Sequence, residues 1–398
     1  MGPGAGRCEN SVRTVTGCVL VLLLATISSQ AAGCGGARVP SGNSPLVESS
    51  GTGGGSAPAL SHLATHEMQP GTHRPELLVN GDRLYLVVVE HLQREEKRVR
   101  HMGYTFEPGS GRLDAGFPVS CETEEYGQGA DHRAVIVGDE IVVVYQSNII
   151  DPSREYHGGP MEQYASSQSL LLSRFSVDGG RELFRGPVVE RATDFEDDNF
   201  PDFCILPSGD RLLVSTGGGG GFKMREVDME GNILCTVGRP VSRSGVPSSI
   251  GNSMLYGPDG RLLIFSSTHT PEGGNVTVAT LDQEYNAVAF REFETPGRDD
   301  SFPTGVLYRD GYYFVGYGSR KDWSGSVEES PYSPYLMVID ATTLEVVADL
   351  QVSDRPGAGH SHPTLAVLGD RLFYAWSTRA EGPGSSAPQV LVEEYELK

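Results

Sequence analysis

Short apolar runs rich in Val, Ile, Leu, Tyr and Phe alternate with tight Gly/Asp-containing turns from about residue 60 to the C-terminus, and helical periodicity is almost absent. The clearest unit is an apolar run, a turn and a second apolar run, as in Leu77–Val79, Asn80-Gly81-Asp82 and Leu84–Val89. Such a pattern predicts a β-hairpin, because a glycine in the turn supplies the positive φ that a tight reversal demands. The unit recurs six times, beginning at Pro75, Arg133, Pro201, Asn252, Pro303 and Pro363, at intervals of 58, 68, 51, 51 and 60 residues.

Each interval is long enough for four strands. Third strands are expected from Leu170, Phe222, Val276 and Tyr335, and fourth strands from Glu182, Ile233, Ala287 and Val346. Repeats of this length, each a four-stranded antiparallel sheet, predict an all-β fold, a six-bladed β-propeller. The last repeat has one further strand, from Gln389, and then the chain stops. Its missing outer strand is expected from the segment Leu60–Met68, so that the N-terminal strand joins the last blade and closes the ring. Four of the six hairpins open on proline, which has no N–H to give and suits an innermost strand whose edge faces a central channel.

The chain before the repeats has a different character. Arg7 and Arg13 precede a largely apolar stretch, Val19–Ile27, too short to span a bilayer as a helix. The sequence Ala31-Ala32-Gly33-Cys34 that follows resembles the lipobox of bacterial lipoprotein signals, with Ala31 where that family usually carries Leu. The resemblance implies cleavage after residue 33 and lipidation of Cys34. Residues 34–58 are dominated by Gly, Ser, Pro and Ala and bury no core, which makes them a flexible tether. The expected organisation is therefore a signal peptide (1–33), a tether (34–58) and a propeller (59–398), exported and held at a cell-envelope membrane, facing the periplasm or the cell surface.

The formal net charge is −21, and removal of Arg7, Glu9 and Arg13 makes the balance more acidic by one. A field of that sign repels nucleic acid and anionic lipid and leaves neutral ligands, metal ions and polycations as permitted partners. The cysteines show no CxxC pair and no spacing that implies a zinc site or a disulfide framework. Nothing in the sequence argues for a nucleotide, haem or flavin cofactor. The five glycines Gly217–Gly221 are followed by no Lys-Ser/Thr and no helix, so they read as a loop and not as a phosphate cradle.

In a propeller with these loop lengths one face carries the long, dissimilar connections, whereas the hairpin turns on the other are short and offer little to bind with. The long-loop face also receives the leading ends of the innermost strands, and these are polar. The candidate ligand-binding residues are Arg74, Glu76, Asp131, His132, Arg133, Asp198, Asp202, Asn252, Asp300, His360 and His362. Turns beside water are polar in any propeller, so mutual satisfaction of these groups accounts for the composition equally well. Two sharper chemistries remain open. A glycosidase needs two carboxyl groups about 5 to 9.5 Å apart, and Glu76, Asp131, Asp202 and Asp300 are candidates, the first three foremost as catalytic groups. A metal ion at the mouth would draw on His132, His360 and His362 with Asp131 or Asp202.

The repeats from residue 59 onward resemble those of the sialidase-like six-bladed propellers, the superfamily with Asp-box turns. Ser176-Val-Asp-Gly-Gly-Arg-Glu-Leu183 is close to that box, with Leu183 in the place of an aromatic residue, while the other repeats carry degenerate versions. Arg74 and Arg133 would then be carboxylate-binding arginines. The resemblance implies the fold first and a glycoside hydrolase second. Three functional readings follow: a propeller that binds a small polar ligand, glycan or envelope protein at its channel mouth; a glycoside hydrolase; and a non-catalytic interaction platform.

Overall fold

The computed structural model describes residues 58–93, 98–114, 116–120, 127–150, 165–178, 180–189, 199–218, 221–239, 253–268, 273–309, 311–321, 331–357, 362–379 and 387–398. Residues 1–57, which include Cys34, the expected signal peptide and all but the last residue of the expected tether, lie outside these residues. Among the described residues no helix is long and apolar enough to cross a membrane.

A first strand, β1 (Leu60–Glu67), precedes the blades. Blade one is β2 (Thr72–Asn80), β3 (Arg83–Gln93) and β4 (Arg98–Glu107), with two short strands, β5 (Arg112–Leu113) and β6 (Phe117–Pro118), sharing the outer edge of β4. Blade two is β7 (Gly127–Val137), β8 (Glu140–Ile150), β9 (Ala165–Ser176) and β10 (Glu182–Val189). Blade three is β11 (Asn199–Ser208), β12 (Arg211–Gly218), β13 (Gly221–Asp228) and β14 (Ile233–Arg239). Blade four is β15 (Ser253–Tyr256), β16 (Leu262–Ser267), β17 (Val276–Leu281) and β18 (Ala287–Phe293). Blade five is β19 (Arg298–Tyr308), β20 (Tyr312–Lys321), β21 (Ser333–Asp340) and β22 (Val346–Gln351). Blade six is β23 (Thr364–Leu368), β24 (Arg371–Arg379) and β25 (Pro388–Leu397), completed by β1 on the outer edge of β25. The protein is a six-bladed β-propeller closed by its N-terminal strand.

The period-two alternation of a strand explains why six sheets close into a ring. In β3, Leu84, Leu86 and Val88 face blade six, where they meet Phe373, Ala375 and Val392, while Tyr85 and Val87 point the other way and meet Ile141, Val143 and Tyr145 of blade two. A second strand buried on both faces therefore reads as a continuous apolar run. The same arrangement repeats at every junction, giving six hydrophobic cores, one between each pair of neighbouring blades, the sixth joining blade six to blade one. Outer strands have no such neighbour, and β22 is largely exposed. The turns from third to fourth strand are tied by aspartates: Asp228 accepts from the N–H groups of Glu230 and Asn232, Asp282 from those of Glu284 and Asn286, and Asp340 from those of Thr342 and Thr343.

Closure by β1 rests on more than backbone pairing. His62 bonds Glu393 and His66 bonds Glu394, each at 3.0 Å, and Thr65 donates to Glu393 at 2.6 Å. The cysteine spacing implies no disulfide framework; in the structure Cys235 is disulfide-bonded and Cys204 is a free, buried thiol.

Candidate functional site

The innermost strands β2, β7, β11, β15, β19 and β23 surround a cavity of about 280 Å³ on the propeller axis. Positions along them compare directly when counted back from the residue that opens each hairpin turn: Asn80, Val137, Ser208, Tyr308 and Leu368. The fourth position back is Glu76, Arg133, Cys204, Thr304 or Thr364, and all five line the cavity. In blade four that place falls to Asn252, which lies outside the described residues. The sixth position back is Arg74, Asp131, Asp202, Phe302 or His362, one tier closer to the mouth.

Ring closure makes residues of one tier neighbours. Arg133 donates from Nη1 to Glu76 Oε1 at 3.3 Å, and Thr364 donates to the other oxygen of Glu76 at 3.4 Å. One tier up, Arg74 forms an ion pair with Asp131, and the rings of Phe302 and His362 lie 4.6 Å apart. Blades one and two are thus joined by two ion pairs of opposite sense, acid to base in the lower tier and base to acid in the upper.

The local backbone explains how these side chains reach the mouth. Arg74, Phe302 and His362 each precede a proline and each has positive φ, at 50°, 59° and 33°. The proline disfavours the right-handed helical region for the residue before it and cannot extend the hydrogen-bonded ladder. The register shifts at His73/Glu76 and Ser301/Thr304 mark the resulting bulges. Innermost N–H groups that face the channel find partners on the adjacent blade: Leu77 donates to Thr364 Oγ1 and Gly305 to Ser253 Oγ.

Burial shapes the electrostatics. It pushes the Glu76 carboxyl above its usual range, with Arg133 and the Thr364 hydroxyl opposing. It pushes the Cys204 thiol up to about 12, so this channel-lining sulfur is no thiolate nucleophile at neutral pH. His132 is 1 % exposed, and among the described residues neither ring nitrogen has a hydrogen-bond partner. Burial, followed by His101, Arg133, Arg74 and His73, holds its imidazole well below the usual histidine range. The ring turns into the blade one–two junction beside His101 and does not line the cavity.

Asp300 is also away from the cavity. It is wholly buried in blade five, where Arg298 reaches it at 3.2 Å, and burial raises its carboxyl to about 6 against the pull of that arginine. The neighbouring Asp299 accepts from Gly274 N–H, Arg320 and Tyr332, a buried cluster that the sequence did not single out. Of the remaining candidates, Asp198 and His360 lie outside the described residues, and Asp202 is described in its backbone alone. Among the described residues no three His, Cys, Asp or Glu side chains are placed to hold one metal ion.

The structure therefore brings Arg74, Glu76, Asp131 and Arg133 together at one side of the mouth and sets His362 against Phe302 at another. Chemically this is a polar rim over a narrow channel, with two guanidinium groups engaged by two carboxylates.

No family model and no curated protein matches the chain. Solved structures share the fold. A protein of unknown function from Dyadobacter fermentans superposes with TM-score 0.63 at 12% identity, covering 85% of this chain and 99% of that one. The phage phi92 endosialidase gives 0.57 at 8% identity over 85% and 69% of the two chains. A Trypanosoma rangeli sialidase in complex with the inhibitor DANA gives 0.50 at 11% identity over 85% and 60%.

Proposed function

We propose that this protein is an exported, membrane-anchored lipoprotein of the cell envelope whose propeller binds a polar ligand, a carbohydrate in the first place, at its channel mouth. The observation that carries the reading is the double ion pair of Arg74 with Asp131 and Glu76 with Arg133 at the edge of an axial cavity. Planar, multidentate donors and acceptors beside one another are what recognise sugar hydroxyls and carboxylates. Sialidases among the proteins with this fold add support for carbohydrate as the ligand class. The lipobox-like sequence ending at Cys34 and the tether of residues 34–58 support anchoring, and a disulfide at Cys235 suits an oxidising compartment.

Binding is favoured over hydrolysis because Glu76 and Asp131 are each held by an arginine, which stabilises the carboxylate that a general acid must avoid. The hydrolase reading keeps one point in its favour, the raised Glu76 carboxyl. Glycan-array screening of the chain from residue 36 onward, followed by calorimetry on the hits, separates the two. Binding lost at least tenfold in Arg74→Ala and Arg133→Ala, with no turnover of a glycoside panel, supports the binding protein. Turnover abolished by Glu76→Gln or Asp131→Asn would replace it with the hydrolase, and neither binding nor turnover, with envelope proteins co-purifying, would favour the platform.

A further inference from the structure

The face opposite the mouth, where hairpin turns are short, carries a second cavity of about 340 Å³ against blade four. Four of the other innermost hairpins turn through two residues, as between Asn80 and Arg83 or Ser208 and Arg211. In blade four the ladder ends at Tyr256 and Leu262, and the five residues Gly257–Arg261 form a larger loop. Its Gly257 N–H donates to Arg261 C=O and its Gly260 N–H to Gly257 C=O, so the loop is folded upon itself beside the opening.

The facing wall is Tyr285, in the turn from β17 to β18. Its N–H donates to Asp282 C=O just as Gly231 N–H donates to Asp228 C=O in blade three, so the two residues occupy one place in the repeat. That place has positive φ, 83° at Gly231 and 62° at Tyr285. A bulky side chain there is strained, and glycine is the residue that relieves it. Tyr285 instead crosses the blade junction, and its hydroxyl donates to the buried Glu226 at 2.8 Å. Tyr256, the other aromatic residue at the cavity, donates its hydroxyl to Ser208 at 3.2 Å.

The chemistry of the lining is one-sided. Leu213, Leu262 and Leu281 are buried and apolar. Both phenol protons are spent on groups behind the cavity. At the rim stand two carboxylates against one guanidinium: Asp259 accepts from Arg261 N–H and lies 3.4 Å from the Arg261 guanidinium, and Asp282 accepts from the turn N–H groups of Glu284 and Asn286 and from the Asn286 amide, so one negative charge remains in excess. Aromatic residues, an apolar floor and an excess of acceptor charge, on a protein whose whole field is negative, complement a cation with a flat apolar body. The geometry points to a binding site for a small aromatic or alkyl ammonium compound between the two turns of blade four, on the face away from the channel mouth and independent of it.

Benzylamine, protonated at neutral pH, is the probe, with benzyl alcohol and benzoate as neutral and anionic counterparts of the same shape. Calorimetric or saturation-transfer titration of the folded chain should find benzylamine bound at least tenfold more tightly than either. Asp259→Asn, a change on an exposed loop, should weaken it at least fivefold, and Tyr285→Gly, which restores the turn residue of blade three, should abolish it while leaving thermal unfolding cooperative. The proposal is overturned if benzylamine binds no better than benzyl alcohol, if none of the three binds, or if both variants bind as the parent does. Glycan binding at the mouth, measured on the same samples, is expected to be unchanged by either substitution, so the two sites fail or stand separately.

Discussion

The imidazole rings of His101 and His132 lie 4.8 Å apart, edge to face, within the junction between blades one and two. His101 bonds Ser120 at 2.8 Å through Nδ1, whereas His132 has no hydrogen bond at either nitrogen among the described residues. Burial, followed by His101, Arg133, Arg74 and His73, opposes a proton on the ring. The junction between the two blades thus encloses a histidine whose neutral form is favoured.

The acid behaviour follows. A histidine whose folded pKa is depressed contributes stability that is present above its unfolded pKa, about 6.5, and is lost as pH falls below that value. The unfolded chain binds the proton and the folded one does not, at about 1.4 kcal/mol per pH unit for one proton. His132→Phe should therefore unfold in urea with a weaker pH dependence than the parent between pH 6.5 and 5, with the gap between them widening by up to that slope. Parallel curves for the two proteins across that range would show that His132 titrates normally.

The Glu76–Arg133 pair makes a different prediction because both partners are largely buried, at 14% and 19% side-chain exposure. Removing one partner leaves the other charged, desolvated and alone. Arg133→Met should cost about 2–4 kcal/mol, somewhat below the figure for a fully buried pair. The double change Glu76→Leu with Arg133→Met should recover most of that loss, since two apolar side chains suit this site better than one stranded carboxylate. Additive losses in the double-mutant cycle, measured by denaturant unfolding, would mean that the two groups are not coupled.

Ring closure by β1 is open to an equally direct measurement. Glu394 is buried and accepts from His66, from Gly109 N–H and from Arg371, so it ties β1 and blade one to the last blade. A chain beginning at Met68 would expose the edge of β25 and leave Glu393 and Glu394 without their histidines. It should lose cooperative thermal unfolding and associate through the open edge, which light scattering would detect. A monomeric protein melting as the longer chain does would show that β1 is dispensable.

Much of this was legible in the sequence because strand alternation and glycine turns are local signals. Leu84–Val89 reads as an apolar strand without reference to any other part of the chain, whereas its burial on both faces shows only in the ring. Leu60–Glu67 could be assigned only by what the sixth repeat lacked. The meeting of Arg74 with Asp131 and of Glu76 with Arg133 was legible only as a list of polar residues, since pairing depends on which positions share a tier around the axis. His132 and Asp300 entered the same list, yet one turns into a blade junction and the other into the interior of blade five, because neighbouring positions along a strand point to opposite sides. The blade-four cavity went unforeseen although two signals were present: a five-residue hairpin turn where four other blades have two-residue ones, and a tyrosine where blade three has glycine.

Asp300 supplies a pH dependence of the opposite sign. Burial raises its carboxyl to about 6, with Arg298 pulling the other way and Asp349 adding a little to the rise. An acid whose folded pKa is raised gives stability that is complete below its unfolded pKa, about 3.9, and is lost as pH climbs through the folded value. Asp300→Asn keeps the shape and removes the charge, and Arg298 retains Ser319, Tyr317 and Asp349 as partners. Between pH 4.5 and 7.5 the parent should lose about 2 kcal/mol relative to the asparagine variant. Urea unfolding of both proteins across that range measures the difference directly. A constant difference would place the Asp300 carboxylate in balance with Arg298, and a difference growing in the parent's favour would make the Asp300–Arg298 pair a net source of stability at neutral pH.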